Sequence, residues 1–254
     1  MHHATVIRRI DALEAQLGAR LFQRHPRGYA LTEAGQTLLR TADEADERFQ
    51  QMAARIAGTS VRIEGELIIT TVPSIDDLLL PAVIALMAKY PDLRVTYLTD
   101  SRLFRLAAGE AHIAIRAGTR PTQPDYVVQP LGRIDSGLYA SQTYLDEFGD
   151  NYDPNHHRFV AMGEAGHNAP YSRWLRENVG PANVVMVADE LAAMERVIRA
   201  GLAVGVLPRS RAEGLLRLNW PVEWNSDLWL VTHVDLHRTP KIQAALAELR
   251  RIFG

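Results

Sequence analysis

Apolar and polar positions alternate at the N-terminus with the period of a helix. The predicted apolar stripe has intervals of 4, 3 and 4 residues and consists of Val6, Ile10, Leu13 and Leu17. Four apolar residues at this spacing lie on one face of a helix. Gly18 follows where such a helix would end, and Arg8 and Arg9 point away from the stripe.

Two short strands and a basic turn are predicted next. Leu21-Phe22 and Tyr29-Ala30-Leu31 flank the turn residues Pro26-Arg27-Gly28, and a new helix is expected from Thr32. A helix, a pair of strands with a basic tip and a second helix together predict a winged helix-turn-helix.

The second helix has apolar positions at the heptad spacing of a coiled coil. These positions recur at intervals of 4, 3, 4, 3 and 4 and are Leu38, Ala42, Ala45, Phe49, Met52 and Ile56. A stripe this small requires a partner helix, which favours a dimer; the alternative is one helix face packed on its own domain. Gly58-Thr59-Ser60 then predicts a helix end and a domain boundary.

Beyond residue 64 the pattern alternates between strands and helices. Strands are predicted at 65–72, 93–98, 112–116, 158–162, 184–188, 203–207 and 228–234. Helices are predicted at 76–89, 102–109, 141–148, 170–178, 190–200 and 240–253. This alternation predicts an α/β fold with a largely parallel sheet, built either as one doubly wound sheet or as two lobes.

Composition and charge limit the classes of function. The 254 residues are 47% hydrophobic and 23% charged with a formal net charge of −2, as in ordinary globular proteins. Residues 1–27 contain five Arg against Asp11 and Glu14, so DNA binding would rest on this local patch. Cysteine is absent, the apolar run Leu78 to Met87 is too short to span a bilayer, and the N-terminus has no apolar signal core, so we expect a cytoplasmic protein.

A longer pattern in the first 35 residues resembles the DNA-binding signature of LysR-type transcriptional regulators. It reads Thr5-Val6-x-Arg8-x-Ile10-x-x-Leu13-Glu14-x-x-Leu17-Gly18-x-x-Leu21-Phe22-x-Arg24, followed by Gly28, Leu31-Thr32 and Ala34-Gly35. In that family the stretch is the recognition helix plus the wing, and further helices normally precede it. The resemblance therefore implies a partial winged helix-turn-helix at 1–34 and a linker helix at 35–58 that pairs two subunits. We expect the chain as it stands to bind operator DNA poorly.

Three further segments resemble the effector domain of the same family. They are Gly65-x-Leu67-x-Ile69, Ile113-Ala114-Ile115-Arg116-x-Gly118 and Ala200-Gly201-x-x-x-Gly205-Val206-Leu207-Pro208. The resemblance implies a domain at 64–254 like a periplasmic binding protein, with two crossing strands. Lobe I would comprise about 64–135 and 233–254, and lobe II about 136–232.

The family frame assigns DNA contacts to the first helix and the wing. Thr5, Arg8 and Arg9 are expected in the major groove, and Arg24, His25 and Arg27 on the phosphates. Two residues depart from the family, since His2 and Ile7 replace serines that are common there.

Effector contacts are expected after the carboxyl ends of strands, where open α/β sheets bind ligands. The candidates are Ser74, Ile75, Thr99, Asp100, Ser101, Arg116, Met162, Gly163, Gly201 and Val204. Arg116 would bind a carboxylate of an anionic effector, or else form an ion pair within its lobe. His112 replaces an Asp common in the family, so one polar contact inside the lobe should differ.

No motif for catalysis or metal binding is present. His156, His157, Glu164 and His167 match no common zinc spacing, and we expect solvated loop residues there and no cofactor. The leading hypothesis is a DNA-binding regulator, a homodimer or homotetramer, controlled by a small molecule bound between two lobes. The alternatives are a cytoplasmic small-molecule binding module whose truncated DNA-binding head is not functional, and a two-lobed enzyme, for which no catalytic residues are found.

Overall fold

The computed structural model describes residues 3–25, 28–56, 62–163 and 169–253. Its helices are α1 His3–Leu17, α2 Glu33–Ile56, α3 Asp76–Lys89, α4 Gln142–Phe148, α5 Pro170–Asn178, α6 Leu191–Arg199, α7 Val234–His237 and α8 Pro240–Arg250. Its strands are β1 Phe22–His25, β2 Gly28–Leu31, β3 Gly65–Thr71, β4 Leu93–Thr99, β5 Ile113–Ala117, β6 Tyr126–Ala140, β7 Phe159–Met162, β8 Val184–Ala188, β9 Gly205–Pro208, β10 Leu216–Arg217 and β11 Trp224–His233. The chain divides into two compact units, Met1–Arg62 with Ala107–Glu110, and Ile63–Leu106 with Ala111–Gly254.

The first unit contains the predicted helix, two-stranded wing and long helix. Gly18 adopts a positive φ of 66° directly after α1, a conformation that glycine takes without steric cost. Strands β1 and β2 then pair antiparallel, with Phe22 opposite Leu31. The Thr32 hydroxyl accepts a hydrogen bond from the Gly35 N–H at 3.0 Å and so caps the start of α2.

The second unit is built on a mixed sheet of seven strands. Its order is β10-β6-β11-β5-β3-β4, and β9 also pairs with β6. The pairs β3–β4 and β3–β5 are parallel, whereas the pairs made by β6 and β11 are antiparallel. The prediction of a largely parallel sheet is therefore wrong for this sheet, because β11 runs against both β5 and β6, and β9 and β10 run against β6.

The two long strands connect two lobes. In lobe I, residues Leu228–Thr232 of β11 pair with β5. In lobe II, the first residues of β11 pair with β6 next to the place where β6 also pairs with β9. The register between β6 and β11 shifts at Leu228/Trp229, between these two halves. In lobe II, β7 and β8 form a parallel pair, and Phe159 bridges to Val204 just before β9.

Each lobe has a hydrophobic core on both faces of its strands. In lobe I, α3 and α8 cover one face, where Leu67, Leu79, Ile113 and Leu246 are buried. The opposite face packs Phe104, Leu106 and Val231. In lobe II, one core surrounds Phe159 and Trp220 and the other surrounds Met194 and Ile198. Two-sided burial explains why these strands read as continuous apolar runs.

The helix predicted at 102–109 is not formed. Only a 3-10 turn at Leu106–Ala108 is present. The Phe104 carbonyl accepts a hydrogen bond from Arg116 at 3.0 Å, and the Leu106 N–H donates to the Tyr126 hydroxyl at 3.3 Å. These two backbone groups are the ones that a helix here would have used, so tertiary contacts override the local pattern.

The apolar pattern also fails to predict β6, although the strand is 15 residues long. Pro130 and Gly132 interrupt its middle, and neither residue is typical of a strand interior. The strand forms because β11 pairs with its first part, from Tyr126 to Ser136, and β9 and β10 pair with the remainder.

None of the helices among the described residues combines the length and the apolar character that crossing a bilayer requires.

Candidate functional site

Helix α1 presents its basic residues to solvent. Arg8 and Arg9 are both exposed. The apolar stripe on the same helix is only partly covered, since Val6, Leu13 and Leu17 are 39%, 38% and 51% exposed. The side chain of Thr5 lies outside the described residues, and so does all of His2.

Glu14 ties the end of α1 to the start of the wing. Its buried carboxylate accepts hydrogen bonds from the Leu21 and Phe22 N–H groups at 2.7 and 3.1 Å and from Arg20 Nη1 at 2.9 Å. The two backbone hydrogen bonds, followed by Arg20, hold the pKa of Glu14 below its usual value. The sequence pattern contained Glu14 but did not indicate this role.

The wing is a short antiparallel ribbon. Phe22 and Tyr29 pack edge to face with their ring centroids 6.4 Å apart. The backbone of Arg24 and His25 belongs to β1, whereas their side chains and the whole of Arg27 lie outside the described residues. Their contacts with DNA therefore remain predictions.

The heptad residues of α2 form an exposed apolar stripe. Leu38 is half-buried and Ala42 and Ala45 are exposed. Phe49, Met52 and Ile56 are 65%, 51% and 79% exposed. Within the described part of this chain the stripe thus has no covering surface along its second half. The predicted boundary at Gly58-Thr59-Ser60 falls outside the described residues.

A cleft of about 540 Å³ lies between the two lobes of the second unit. Lobe I contributes residues that follow β3, β4 and β5, namely Ser74, Ser101 and Thr119. Lobe II contributes residues at the ends of β7 and β8 and at the start of α6. The long strands β6 and β11, which run through both lobes, contribute further residues. The cleft therefore lies at the carboxyl ends of strands, as predicted for a ligand site in this fold class.

The lining of the cleft combines hydroxyl groups with apolar surface. Its hydroxyl residues are Ser74, Ser101, Thr119, Ser136, Tyr171 and Ser226. Apolar surface comes from Ile134, Met162, Leu191, Val206 and Trp224. Asp189 is the charged residue among the described residues that line it. Such a lining suits a small organic molecule that is oriented by hydrogen bonds.

Asp189 depends on a glycine opposite it. Met162 and Ala188 are partners at the ends of β7 and β8, and the Gly163 N–H donates to the Ala188 carbonyl at 2.9 Å. A Cβ at Gly163 would lie 2.1 Å from Asp189 Oδ1. The absence of a side chain at Gly163 is therefore what leaves room for the carboxylate.

The structure brings three of the predicted effector residues to the cleft and leaves the others elsewhere. Ser74, Ser101 and Met162 line it. Ile75 and Val204 are buried in the lobe cores, and Gly201 turns the chain after α6 with a φ of 74°. Thr99 ends β4 and Asp100 follows it, both outside the lining, and the Asp100 carboxylate accepts a hydrogen bond from the Arg102 N–H at 2.9 Å. Gly163 is not itself a lining residue, but its lack of a side chain leaves room for the Asp189 carboxylate.

Arg116 is held inside lobe I and not in the cleft. Its guanidinium donates to the Phe104 carbonyl and lies over the Tyr126 ring at 5.3 Å from the centroid. The cause is strand alternation, because Ile115 and its neighbour Arg116 face opposite sides of the sheet. Arg116 is therefore not among the residues that line the cleft. Its partners within lobe I are thus a carbonyl and an aromatic ring, and not the carboxylate that the alternative of an ion pair had suggested.

Cleft residues from the second lobe were missed by the sequence pattern. Ser136, Trp224 and Ser226 lie on the long strands, and Tyr171 and Asp189 begin or precede helices. Asp189 follows the predicted strand 184–188, so the rule that effector contacts lie after the carboxyl ends of strands, by which Ser74 was predicted, applies to it as well. Ser136 had no such signal, because β6 was not predicted.

An ion-pair cluster joins the two lobes beside the cleft. Arg211, in the 3-10 turn after β9, contacts Asp76 at 2.6 Å and Asp77 at 3.6 Å, both in the first turn of α3. Its other guanidinium nitrogen lies 3.5 Å from Glu195 of α6. The two carboxylates of lobe I lie two and three residues after the cleft residue Ser74, so the cluster links the position of the lobes to the cleft.

The histidines considered as metal ligands have separate environments. His157 is fully buried, and its Nε2 lies 3.0 Å from the Asn151 carbonyl. Burial lowers the pKa of His157. His156 is exposed, while Glu164 and His167 lie outside the described residues. Within the described ranges no group of three potential ligands is positioned for a metal.

Sequence profiles of two domains match the chain. "LysR substrate binding domain" matches residues 61–254, and "Bacterial regulatory helix-turn-helix protein, lysR family" matches residues 1–36. The helix, wing and cleft described above lie within these two regions.

Relatives and solved structures agree with the profiles. A regulator from Xanthomonas campestris pv. campestris (strain 8004), named as an HTH-type transcriptional regulator, is 28% identical over 78% of this chain, which spans 60% of that protein. The probable HTH-type transcriptional regulator LtrA of Klebsiella pneumoniae is 24% identical, with 96% and 84% of the two chains covered.

The fold is shared with a solved regulator. The crystal structure of ArgP from Mycobacterium tuberculosis covers 99% of this chain, and this chain covers 88% of it, with a TM-score of 0.71 and 20% identity. A profile match over most of the chain, with a second match at its N-terminus, establishes the family. The chain belongs to the LysR family of bacterial transcriptional regulators.

Proposed function

We propose that this protein regulates transcription by binding operator DNA through α1 and the wing, under the control of a small molecule in the interlobe cleft. The observation that carries the proposal is the exposed pair Arg8 and Arg9 on the helix that leads into the wing. Two cations on a helix face that is open to solvent can approach a phosphate backbone without rearrangement.

In this proposal the head reads DNA with two sets of residues. Thr5, Arg8 and Arg9 enter the major groove, and Arg24, His25 and Arg27 of the wing contact phosphates. Support comes from the local excess of arginine in residues 1–27 against a net charge of −2 for the whole chain.

The α2 stripe pairs two subunits in a homodimer, which further contacts can extend to a tetramer. Support comes from the exposure of Phe49, Met52 and Ile56, since apolar side chains in a row are rarely left in water. Pairing would also present two heads to two half-sites of DNA.

The effector occupies the cleft and shifts the distance between the lobes. Ser74, Ser101 and Met162 remain effector contacts from the sequence prediction, and Thr119, Ser136, Asp189 and Ser226 join them. A ligand that contacts both lobes binds one degree of closure better than another, which is the requirement for control. We place this function in the cytoplasm, and we propose no catalytic activity.

The test compares DNA binding by the native protein and the variant R8A/R9A. Fragments selected by the native protein from sheared genomic DNA of the source organism serve as the probe in gel-shift titrations. Loss of two phosphate-facing or base-facing cations should weaken binding by about 10- to 100-fold and reduce the slope of log affinity against log salt by about two.

The matched control is R94A/R133A, which removes two exposed arginines from β4 and β6. The control should bind the selected fragment as the native protein does. Equal binding by R8A/R9A and the native protein would refute the assigned DNA surface.

A second candidate function is a small-molecule binding module without DNA activity. The observation that favours it is that the cleft and its cores lie within one compact unit, Ile63–Leu106 with Ala111–Gly254. Failure of the native protein to select any genomic fragment, with ligand binding retained, would support this candidate over the first.

A further inference from the structure

We infer that the effector is an uncharged molecule with a hydroxyl or carbonyl oxygen at each of two ends, one end for each lobe, and with a body that packs against Trp224. This inference rests on the proposed function, because it assumes that the interlobe cleft is the effector site. It replaces the anionic effector that the sequence suggested through Arg116.

The hydroxyl groups of the cleft lie on both of its sides. On the side of lobe I they belong to Ser74, Ser101 and Thr119, and on the side of lobe II to Ser136, Tyr171 and Ser226. A hydroxyl group donates or accepts a hydrogen bond as its partner requires, which suits the oxygens of an uncharged ligand. A ligand with an oxygen at each end would therefore connect the two lobes.

The carboxylate of Asp189 does not require a cationic ligand. Asp189 lines the cleft, and it already has an interaction of its own within the chain. Its two oxygens offer about four acceptor sites, so the carboxylate can also accept a hydrogen bond from a ligand hydroxyl. The same carboxylate would repel an anion at this wall of the cleft.

The carboxylates beside the cleft are matched by arginines. Arg211 lies 2.6 Å from Asp76 and 3.6 Å from Asp77. Glu195 lies 2.8 Å from Arg199 and 3.5 Å from Arg211. Because each of these carboxylates has a guanidinium nitrogen nearby, the cluster does not act as a counter-charge for a cationic ligand.

An anionic ligand likewise finds no counter-charge among the described lining residues, which include no Arg, Lys or His. The nearby arginines have other partners: Arg116 donates to the Phe104 carbonyl at 3.0 Å, and the Arg102 guanidinium lies 3.7 Å from the Phe104 ring centroid. Arg120 lies over the Trp229 ring at 5.9 Å. A charged ligand would thus lose hydration in the cleft without gaining an opposite charge, whereas an uncharged one exchanges water for hydroxyl groups.

The aromatic residues of the lining define the place for the body of the ligand. Trp224 contacts Tyr171 edge to face at 6.4 Å and Trp174 at 5.5 Å, so its ring is held in position. Burial raises the pKa of Tyr171, so its hydroxyl stays neutral and can donate a hydrogen bond. A cleft of about 540 Å³ accepts a small ring compound with its substituents.

The experiment uses two sets of ligands that are matched in size and differ in charge. The first set is 4-hydroxybenzyl alcohol, 4-hydroxybenzylamine and 4-hydroxybenzoate, and the second is 1,5-pentanediol, 5-amino-1-pentanol and 5-hydroxypentanoate. Ligand-observed NMR titrations at millimolar concentrations measure their affinities for the native protein. In each set the uncharged compound should bind at least about tenfold more tightly than the amine and the carboxylate.

Two variants remove one hydroxyl group from each side of the cleft. S101A and S226A should each weaken binding of 4-hydroxybenzyl alcohol by about three- to tenfold. The compound 4-methylbenzyl alcohol lacks one of the two oxygens, so only one of the variants should weaken its binding. T143A removes an exposed hydroxyl of α4 outside the lining and should retain the native affinities.

An amine or a carboxylate that binds as tightly as its uncharged counterpart would overturn the inferred class, and so would the absence of binding by all six compounds. If the uncharged compounds bind but S101A and S226A leave their affinities unchanged, the compounds bind elsewhere. The cleft is then not the effector site, and the proposed function fails in that part.

Discussion

Glu14 and Arg116 illustrate how single side chains decide local structure in this protein. Glu14 lies on the stripe-bearing helix, yet it is buried and receives two backbone hydrogen bonds from the wing. Arg116 ends a strand at a position suited to ligand binding, yet it turns to a carbonyl within its own lobe. In both cases the side chain satisfies backbone groups that would otherwise be buried without partners.

His112 is a third such residue. Its Nδ1 accepts a hydrogen bond from the Ile68 N–H at 3.0 Å, between β5 and β3. Burial, with a smaller effect of Lys241, lowers the pKa of His112 to about 4. The ring is therefore neutral at physiological pH and acts as an acceptor, as a carboxylate would.

This burial makes stability sensitive to acid. In the unfolded chain His112 takes up a proton near pH 6.5, whereas in the folded chain it does so only near pH 4. Stability should therefore fall as the pH decreases from 6.5 to 4, by roughly 3 kcal/mol for this group. In H112N the amide oxygen keeps the hydrogen bond without a titrating ring, so urea unfolding followed by tryptophan fluorescence should show a shallower pH dependence in this window.

H156N serves as the control, because it removes an exposed histidine and leaves the contact between β3 and β5 intact. It should retain the native loss of stability between pH 6.5 and 4. An identical pH dependence of H112N and the native protein would show that His112 does not cause the effect.

At the scale of elements, the spacing of apolar residues predicts the helix α2 but does not predict the strand β6. The heptad spacing predicts α2 well, because a helix of 24 residues needs only local hydrogen bonds and a regular stripe. The strand β6 has no regular alternation, and it exists because β11, β9 and β10 pair with it. Local pattern is a good guide where an element stabilises itself and a poor one where neighbours impose it.

The exposed half of the α2 stripe leads to a prediction about assembly. Replacement of Phe49 by Glu places a charge in the proposed helix pair, where it would have to be desolvated. We expect F49E to weaken the dimer by more than about 100-fold, so that analytical ultracentrifugation at micromolar concentration detects monomers.

Q36E is the matched control, since it adds the same charge to α2 outside the stripe. It should sediment as the native protein does. If F49E forms dimers as stable as those of the native protein, the subunit contact lies elsewhere. The alternative, in which the stripe packs on its own domain, would then be supported.

At the scale of the whole effector unit, Arg211 connects two lobes that are otherwise joined through β6 and β11. Its partners Asp76 and Asp77 belong to lobe I, and Glu195 belongs to lobe II. Because the Arg211 side chain is only 17% exposed, its pairs are screened less by salt than surface pairs are. The cluster therefore favours the lobe arrangement described here.

Removal of this guanidinium should loosen the contact between the lobes. In R211Q three carboxylates lose their shared cation, and we expect the melting temperature to fall by about 2–4 °C for each kcal/mol lost. Amide hydrogen exchange should accelerate in the segments around Ser74 and Pro208, which border the cleft, and not in the lobe cores.

R217Q removes an arginine whose partner, Asp135, lies 3.0 Å away within lobe II. Because this pair does not join the lobes, its loss should leave exchange around Ser74 unchanged. Equal exchange in R211Q and R217Q would contradict a role of Arg211 in holding the lobes together.

The sequence by itself determined the family and most of the helices and strands, with the exceptions of β6 and the segment 102–109. The motif from Thr5 to Gly35 predicts the head, and periodicity predicts helices α1, α2, α3 and α8, because these features depend on local spacing. The resemblance also supplied the two-lobed plan, and the rule that open α/β sheets bind ligands after the carboxyl ends of strands led to Ser74, Ser101 and Met162.

Only the tertiary structure decided which side chains meet in the cleft. Ser136 and Trp224 reach it on strands that span both lobes, and Arg116 leaves it because the opposite face of its strand offers a carbonyl. The Asp189 carboxylate is the charged group among the described residues that line the cleft, and it fits there because Gly163, 26 residues earlier, leaves space for it. Contacts between residues distant in the chain depend on the pairing of strands and the packing of lobes, and no local pattern encodes them.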